Sequence, residues 1–391
     1  MNVWMLGLTS LVTDISSEMV TSILPAYLIF ARGISPSTFG VVDGLYQGGA
    51  SVARLLSGLV TDRLRRYKEV AAVGYFASAL SRVGLLLAGA TPAWLVSAIL
   101  LDRVGKGVRT APRDALISLS APRGGLGTAF GVHRTLDTVG ATLGPLAAFG
   151  ILWFTQRDYE SVLVVSAGVA LVGLAILLTF VTNPARPLTP APPPSDTAAQ
   201  VRLLENWPFR ALAACACVLG AVTVSDSLIY LALQRQTGLQ PVYFPLLYVA
   251  TPAVYAIAAG PVGLLADRIG RHWVLAGGHV ALALLYALLL RPSGAWLTGA
   301  GVIALLGVYY AATDGVLPAL GSVTLPVASR ATGLAVLGTA QDMGRLLASL
   351  GFGWLWSRGS VDCAVAAYLA ALLVAVLLLL PTLRRLGSHT E

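Results

Sequence analysis

The stretch LLDRVGKGVRTAPRDALIS places several charged side chains inside an otherwise apolar part of the chain. Asp102, Lys106, Arg109 and Arg113 are spaced so that they share one face of a helix, and Arg103 lies on the adjoining face. Charged groups inside a membrane span are energetically costly and therefore usually functional. Such cations attract negative parts of a solute or alter the proton affinity of a nearby carboxyl group. We expect Arg103, Lys106 and Arg109 to line a substrate cavity, whereas structural pairing alone would explain the other charges of this stretch.

A second set of candidates consists of carboxyl groups in apolar segments, which bind and release protons. Glu18 lies near the middle of its segment and Asp14 is one helical turn before it, so Glu18 is the first candidate for proton coupling and Asp14 the second. Asp137 and Asp226 are further candidates for proton coupling. Other polar and aromatic residues complete the predicted cavity wall, although aromatic pairs at helical spacing are also typical of core packing. These wall residues are Thr21, Tyr309, Tyr310 and Asp314.

The composition shows which elements must position these residues. The chain has 391 residues, of which 56% are hydrophobic and 11% charged, with a net charge of +8 and a mean hydropathy of +0.77. Soluble domains usually carry about 25% charged residues, so the composition excludes a cytosolic enzyme, a nucleic-acid binder and a disordered scaffold. Apolar stretches of about 20 residues, long enough to cross a bilayer as helices, recur twelve times and do not alternate as barrel strands do. The predicted spans are 3–31, 36–61, 70–92, 93–120, 127–155, 160–182, 208–235, 240–266, 273–291, 295–322, 330–357 and 361–381.

A proline-rich polar stretch over residues 183–207 divides these spans into two sets of six. We therefore expect an all-α polytopic membrane protein with an N-terminal bundle over residues 1–182, a cytoplasmic linker, and a C-terminal bundle over residues 208–391. Lys and Arg are concentrated in the loops on the side of the linker, which predicts cytoplasmic termini in the inner membrane of the cell. The expected partners are the lipid bilayer and a small-molecule substrate, with no nucleic acid, and the expected state is a monomer.

The two halves are related by a constant shift along the sequence. The loop GLVTDRLRRYK coincides with GLLADRIGRHW, and Asp137 falls on Asp342 under the same shift. A constant offset across several helices indicates a duplicated six-helix unit, as in many secondary transporters whose substrate site lies between the repeats. The residues that we expect to lock the conformation are Gly58, Asp62, Arg63, Arg66, Gly263, Asp267, Arg268, Arg271 and Asp342.

These loops resemble the signature loop of the major facilitator superfamily, although Arg65 replaces the usual second glycine in the first copy. The resemblance covers the whole chain and implies two six-helix bundles around a cavity lined by helices 1, 4, 7 and 10. The surroundings of Arg103 resemble the fourth-helix motif of drug/proton antiporters. Gly140, Gly144 and Pro145 resemble the fifth-helix antiporter motif, in which small residues let helices approach and a proline bends the backbone.

The sequence favours a proton-coupled secondary transporter that exports a small organic solute by alternating access, driven by an ion gradient, with no cofactor and no metal site. A carrier of an organic or phosphorylated anion, working in uptake as well as in export, is the first alternative because the chain carries so many intramembrane cations. A divalent-metal exporter using Asp14, Glu18 and Asp226 is less favoured, since cations lie nearby. A membrane receptor or scaffold is the non-transport alternative. No zinc-ligand, nucleophile-elbow or phosphate-loop spacing indicates an enzyme.

Overall fold

The computed structural model describes residues 2–64, 66–88, 91–121, 126–183, 206–325 and 330–388. Over these residues the chain is helical and contains no strand, which confirms the all-α prediction. The helices are α1 Asn2–Ala26, α2 Pro36–Leu64, α3 Tyr67–Leu87, α4 Pro92–Ser120, α5 Leu126–Phe154, α6 Tyr159–Phe180, α7 Trp207–Ala221, α8 Asp226–Thr237, α9 Phe244–Ile269, α10 Arg271–Leu290, α11 Ala295–Thr313, α12 Val316–Thr324, α13 Arg330–Arg358 and α14 Val361–Ser388.

Each predicted span contains a helix, and the seventh and tenth spans contain two helices each. Eight stretches of the described residues are long and apolar enough to cross a membrane. The four helices that fall outside this set are α1, α2, α4 and α13, which carry more polar and charged residues than the others. Such residues need other helices rather than lipid as neighbours. We therefore expect these four helices to carry the residues of a functional site.

Contacts divide the chain into two units, one made of Met1–Arg186 with Gln240–Val249 and the other of Pro187–Leu239 with Ala250–Glu391. Within the first unit, α1 packs on α5 and on α6, and α3 packs on α4 and on α6. Within the second unit, the helices at the equivalent places pair in the same way: α7 with α13 and α14, and α10 with α11 and α14. This repetition of helix pairs is expected of a duplicated six-helix unit.

Local sequence signals set several helix ends. Asp158 begins α6 as an N-cap whose carboxylate accepts hydrogen bonds from the backbone N–H groups of Glu160 and Ser161. The Ser161 hydroxyl also donates to this carboxylate, and these hydrogen bonds lower the pKa of Asp158 below its ordinary value. Ser225 caps α8 through the N–H of Leu228, and Gly238 ends that helix at a φ of 70°, a left-handed conformation that favours glycine.

The tenth span is interrupted at Asp314 and Gly315, between α11 and α12. Pro318 lacks a backbone N–H, so the carbonyl group of Asp314 loses its usual helical partner four residues later. Gly315 adds backbone freedom at the same point. The sequence signals were therefore present, although the prediction gave this span as one helix.

The seventh span is interrupted between α7 and α8, where Val222 to Ser225 leave the helix. The hydroxyl of Tyr286 on α10 bridges this break: it donates to the carbonyl oxygen of Val222 at 3.1 Å and accepts from the N–H of Val224 at 2.8 Å. Tyr286 is 1% exposed. The peptide groups that lack helical partners at this break are therefore hydrogen-bonded to protein rather than to water.

We predict that Tyr286→Phe destabilises the protein by about 1–3 kcal/mol, because two buried backbone groups lose their partner. Thermal unfolding of the purified protein in detergent measures the change. Tyr255→Phe is the matched control, since Tyr255 is a half-buried tyrosine of α9 that lies away from the break. Equal unfolding temperatures for Tyr286→Phe and the unaltered protein would contradict the bridging role of this hydroxyl.

Candidate functional site

Two carboxyl groups meet inside the first unit, where α1 packs against α5. Asp14 of α1 and Asp137 of α5 lie within hydrogen-bonding reach of each other. Carboxyl groups hydrogen-bond to each other only when one of them carries a proton. The Ser10 hydroxyl donates to Oδ1 of Asp137 at 3.0 Å, which fixes the second carboxyl group. Of the four residues predicted for proton coupling, the structure thus brings two together.

Two arginines of α4 lie against this pair. Nη2 of Arg109 is 3.7 Å from Oδ1 of Asp14, and Nη1 of Arg113 is 3.9 Å from Oδ1 of Asp137. Nη2 of Arg113 lies closer, at 3.1 Å, to Oδ1 of Asp114. The carboxyl pair therefore faces fixed positive charge, and gain or loss of its proton changes the electrostatic balance of three helices.

Glycines allow the close approach of α1 and α5. A Cβ atom built at Gly140 would collide with the carbonyl oxygen of Leu11, and one at Gly144 would lie 2.7 Å from the carbonyl oxygen of Ile15. The backbones of the two helices therefore touch over one helical turn, on the stretch that brings Asp14 to Asp137. The residues predicted from the antiporter-like motif thus lie beside the carboxyl pair.

Close packing also fixes α4, which supplies the arginines. A Cβ at Gly74 of α3 would lie 2.7 Å from the backbone nitrogen of Arg109, and one at Gly105 of α4 would lie 2.7 Å from the carbonyl oxygen of Gly74. Pro112 leaves the carbonyl of Val108 without its helical donor. The Ser57 hydroxyl of α2 donates to that carbonyl at 2.8 Å, as expected where a proline interrupts a membrane helix.

Arg109 is held by α3 on its other side. Its guanidinium carbon lies 4.8 Å from the ring centroid of Tyr75, and Nη1 donates to the Ser78 hydroxyl at 3.2 Å. Arg109 is 2% exposed, so these contacts replace the water that a charged group would otherwise bind. Neither Tyr75 nor Ser78 was predicted from the sequence, because the supporting contacts arise from helix packing and not from spacing.

A second charged cluster lies on the same helix. Asp102 forms ion pairs with both Arg82 of α3 and Arg103. The guanidinium carbon of Arg103 lies 3.7 Å from the ring centroid of Tyr46, whose hydroxyl is 2.5 Å from Oγ1 of Thr21. Arg82 was not predicted for the site, although a lone arginine in an apolar span was a signal for it. Arg103 is thus paired and stacked, while Thr21 lies at the edge of the cluster.

Lys106 and Glu18 differ from the other charged residues of this unit. Both are half-buried, and within the described part of the chain neither has an ion-pair partner within 4.0 Å. Glu18 packs its Cβ against Gly144, where an added Cβ would lie 2.9 Å away. These two residues are therefore the charges of α1 and α4 that remain available to a solute or a proton.

The second unit contains its own polar cluster. The Tyr310 hydroxyl donates to Oδ1 of Asp226 at 2.5 Å, and Nη2 of Arg345 is 3.9 Å from Oδ1 of Asp314. Tyr309 is only 1% exposed, and its hydroxyl lies 3.2 Å from the hydroxyl of Thr223, so its side chain is part of the interior of this unit. The structure therefore joins Asp226 to Tyr310 and places Asp314 beside an arginine that was not predicted.

The residues predicted to lock the conformation are described only in part. The side chains of Gly58, Asp62 and Arg63 lie outside the described residues, and Arg66 is exposed. In the second copy, Nη2 of Arg271 is 3.5 Å from Oδ1 of Asp267. The remaining predicted residues of this set are Gly263, Arg268 and Asp342. Among the described residues, no neighbouring helix comes within 4 Å of a Cβ added at Gly263.

Membrane-length helices with paired charges in their interior are the architecture of a membrane carrier. The family model of the Major Facilitator Superfamily matches residues 6–349. An uncharacterized transporter of this type from Methanocaldococcus jannaschii is 32% identical over 369 residues, covering 91% of this chain and 88% of the relative. The chain therefore belongs to the major facilitator superfamily and is a multi-pass membrane transporter rather than an enzyme.

Two further comparisons extend this result. The class E tetracycline resistance protein of Escherichia coli is 29% identical over 160 residues, which cover 40% of this chain and 36% of that protein. The crystal structure of the nucleoside transporter NupG superposes with a TM-score of 0.82 at 15% identity, covering 98% of this chain and 99% of that one. At this low identity the structural match shows the shared fold alone.

We predict that Gly140→Ala destabilises the protein by about 1–3 kcal/mol, because the added methyl group collides with the backbone of α1. Gly150→Ala on the same helix is the control, since no described atom lies within 4 Å of its added Cβ; there, loss of glycine favours the helix by up to about 1 kcal/mol. Thermal unfolding measures both variants. Equal destabilisation by the two substitutions would show that close approach of α1 and α5 is not required.

Proposed function

We propose that this protein is a proton-coupled carrier that exports a small organic solute by alternating access. The observation that carries the proposal is the proximity of Asp14 and Asp137 where α1 packs against α5, with Arg109 and Arg113 beside them. We propose that these two carboxyl groups together bind and release one proton. Its loss adds a negative charge between α1, α4 and α5, and a charge change at a helix interface favours a different arrangement of the helices.

Export is supported by two observations. The glycines that resemble the antiporter motif lie at the α1–α5 contact, beside the carboxyl pair. Distant relatives from Escherichia coli and Streptomyces rimosus are named for tetracycline resistance, and removal of an antibiotic from the cell is a means of resistance. In this proposal the proton enters as the solute leaves, and the proton gradient supplies the energy.

In this proposal Glu18 contacts the solute, whereas the sequence predicted it as the first candidate for proton coupling. Because Asp14 lies beside Asp137, we assign solute contact to Glu18 and Lys106, for which the described residues supply no ion pair within 4.0 Å. Glu18 is suited to a positively charged or hydrogen-bonding group of the solute, and Lys106 to a negatively charged or carbonyl group.

We predict that Asp14→Asn and Asp137→Asn each abolish solute-driven proton movement, because neither variant retains two carboxyl groups that exchange a proton. Proteoliposomes containing a pH-sensitive dye, with tetracycline as the first solute tested, provide the measurement. Glu160→Gln is the control, since Glu160 is exposed and pairs with Arg32 away from the carboxyl pair. Full coupling in both Asp variants, together with its loss in Glu18→Gln, would place the proton on Glu18 instead.

A carrier of an organic anion is the second candidate, favoured by Lys106. This lysine is the one cation of the α4 stripe for which the described residues supply no ion pair within 4.0 Å. Glu18 and Asp14 act on Lys106 from a distance, and a carboxylate or phosphate of the solute would supply a counter-charge in direct contact, which an ammonium group in a membrane interior needs. For such a solute, proton and anion travel in the same direction, because a proton on the carboxyl pair strengthens anion binding.

The two candidates predict opposite effects of pH on solute binding. Protonation of the carboxyl pair adds positive charge, so a cationic solute binds more tightly as the pH rises and an anionic solute binds more tightly as the pH falls. Thermal-shift titrations of the purified protein, at two pH values on either side of neutrality, compare lipophilic cations with organic anions. Loss of this pH dependence is expected in Asp14→Asn and is not expected in Glu160→Gln; pH-independent binding in the unaltered protein would contradict coupling.

A further inference from the structure

A small chamber lies among α1, α2, α3 and α4 of the first unit, apart from the carboxyl pair. Its charged lining consists of Arg82, Asp102 and Arg103. Hydroxyl groups of Ser17, Thr21, Tyr46 and Ser81 and aliphatic side chains from α1, α3 and α4 complete it. The chamber is small, with room for a particle about the size of a water molecule or a halide ion. Neither the proposed proton site nor the proposed solute contacts use this space.

The charges that line the chamber do not balance. Arg82 and Arg103 are 1% and 4% exposed, and Asp102 is the one carboxylate with which both form ion pairs. Glu18 does not line the chamber and has no ion pair with Arg103 within 4.0 Å. The lining residues of the chamber thus carry two positive charges and one negative charge, and Glu18, which acts on Arg103 from outside the chamber, does not contact it. A buried charge without a counter-charge in contact is destabilising.

The hydrogen-bonding groups of the chamber are also unbalanced. Arg103 donates to Asp102 from Nε and from one N–H of Nη2, which leaves both N–H groups of Nη1 and the second of Nη2 for other acceptors. Nε of Arg82 is buried and has no hydrogen-bond partner among the described residues. The Ser17 hydroxyl accepts from Nη2 of Arg82 at 3.0 Å and retains its own proton for a further partner. Donors thus outnumber acceptors, so a guest must accept hydrogen bonds.

We propose that this chamber binds a small monovalent anion, with chloride as the occupant of matching size. Chloride accepts hydrogen bonds from all sides and neutralises the excess charge of the two arginines. A water molecule accepts hydrogen bonds but leaves the charge unbalanced. The bound anion stabilises the packing of α3 and α4 around Arg103, and this stabilisation is independent of proton coupling at Asp14 and Asp137.

Thermal unfolding in chloride and in gluconate, at the same pH and ionic strength, tests the proposal. The unfolding temperature rises by roughly 3 °C or more in chloride, because a ligand that binds only the folded state stabilises it. We expect bromide to raise the unfolding temperature as chloride does. Acetate represents the other source of a monovalent anion, a carboxylate group of the transported solute, and we expect it to cause no such rise. Equal unfolding temperatures in chloride and gluconate, or an equal rise in acetate, would overturn the proposal.

A matched pair of serine variants locates the effect. Ser17→Ala removes a donor from the chamber and raises the chloride concentration needed for half of the temperature rise by about tenfold, the cost of one hydrogen bond to a charged group. Ser97→Ala is the control, because its hydroxyl is exposed and donates to Ala93 within α4. Anomalous scattering from crystals grown in bromide gives a peak between Ser17 and Arg103. A peak elsewhere only, or equal chloride dependence in both variants, would refute this location.

Discussion

The contact between the backbones of α1 and α5 is the constraint on which the rest of the site depends. Carboxyl groups at Asp14 and Asp137 reach each other only because Gly140 and Gly144 have no side chains to keep the helices apart. Once the two groups meet inside the bundle, they are placed to share one proton, and the arginines of α4 lie close enough to balance the charge when that proton leaves. The distance between α1 and α5 thus determines whether Asp14 and Asp137 can act as a pair.

The charged residues of α4 divide into groups with different surroundings, although the sequence presents them as one stripe. Arg109 and Arg113 lie beside the carboxyl pair, while Arg103 is joined to Asp102 and Arg82 and stacks on Tyr46. Lys106 lies between these groups without an ion pair among the described residues. A helix that carries this much charge is stable in a membrane only because α3 and α1 supply carboxylates, hydroxyls and aromatic rings.

The second unit repeats the helix pairing of the first, but the described polar contacts inside it are different. Close packing recurs, since a Cβ added at Gly220 would lie 2.6 Å from the carbonyl oxygen of Gln341, on the equivalent pair α7 and α13. Among its described residues, the polar contacts include those of Tyr310 with Asp226 and of Arg345 with Asp314. The two units thus share close backbone contacts between equivalent helices, whereas the described ion pairs inside them involve different residues.

The sequence by itself determined the class of protein, the twelve spans and the family. Hydropathy, residue spacing and the repeated loops are visible in short stretches of the chain, without knowledge of which helices pack together. It also identified Asp14, Asp137, Arg109 and the glycines of α5 as residues of interest. Only the tertiary structure decided which of these residues meet. The pairing of Asp14 with Asp137, the support of Arg109 by Tyr75 and Ser78, and the bridge from Tyr286 across the seventh span all join helices that are far apart in the chain. Such contacts depend on how helices rotate and approach each other, which side-chain periodicity within one helix does not specify.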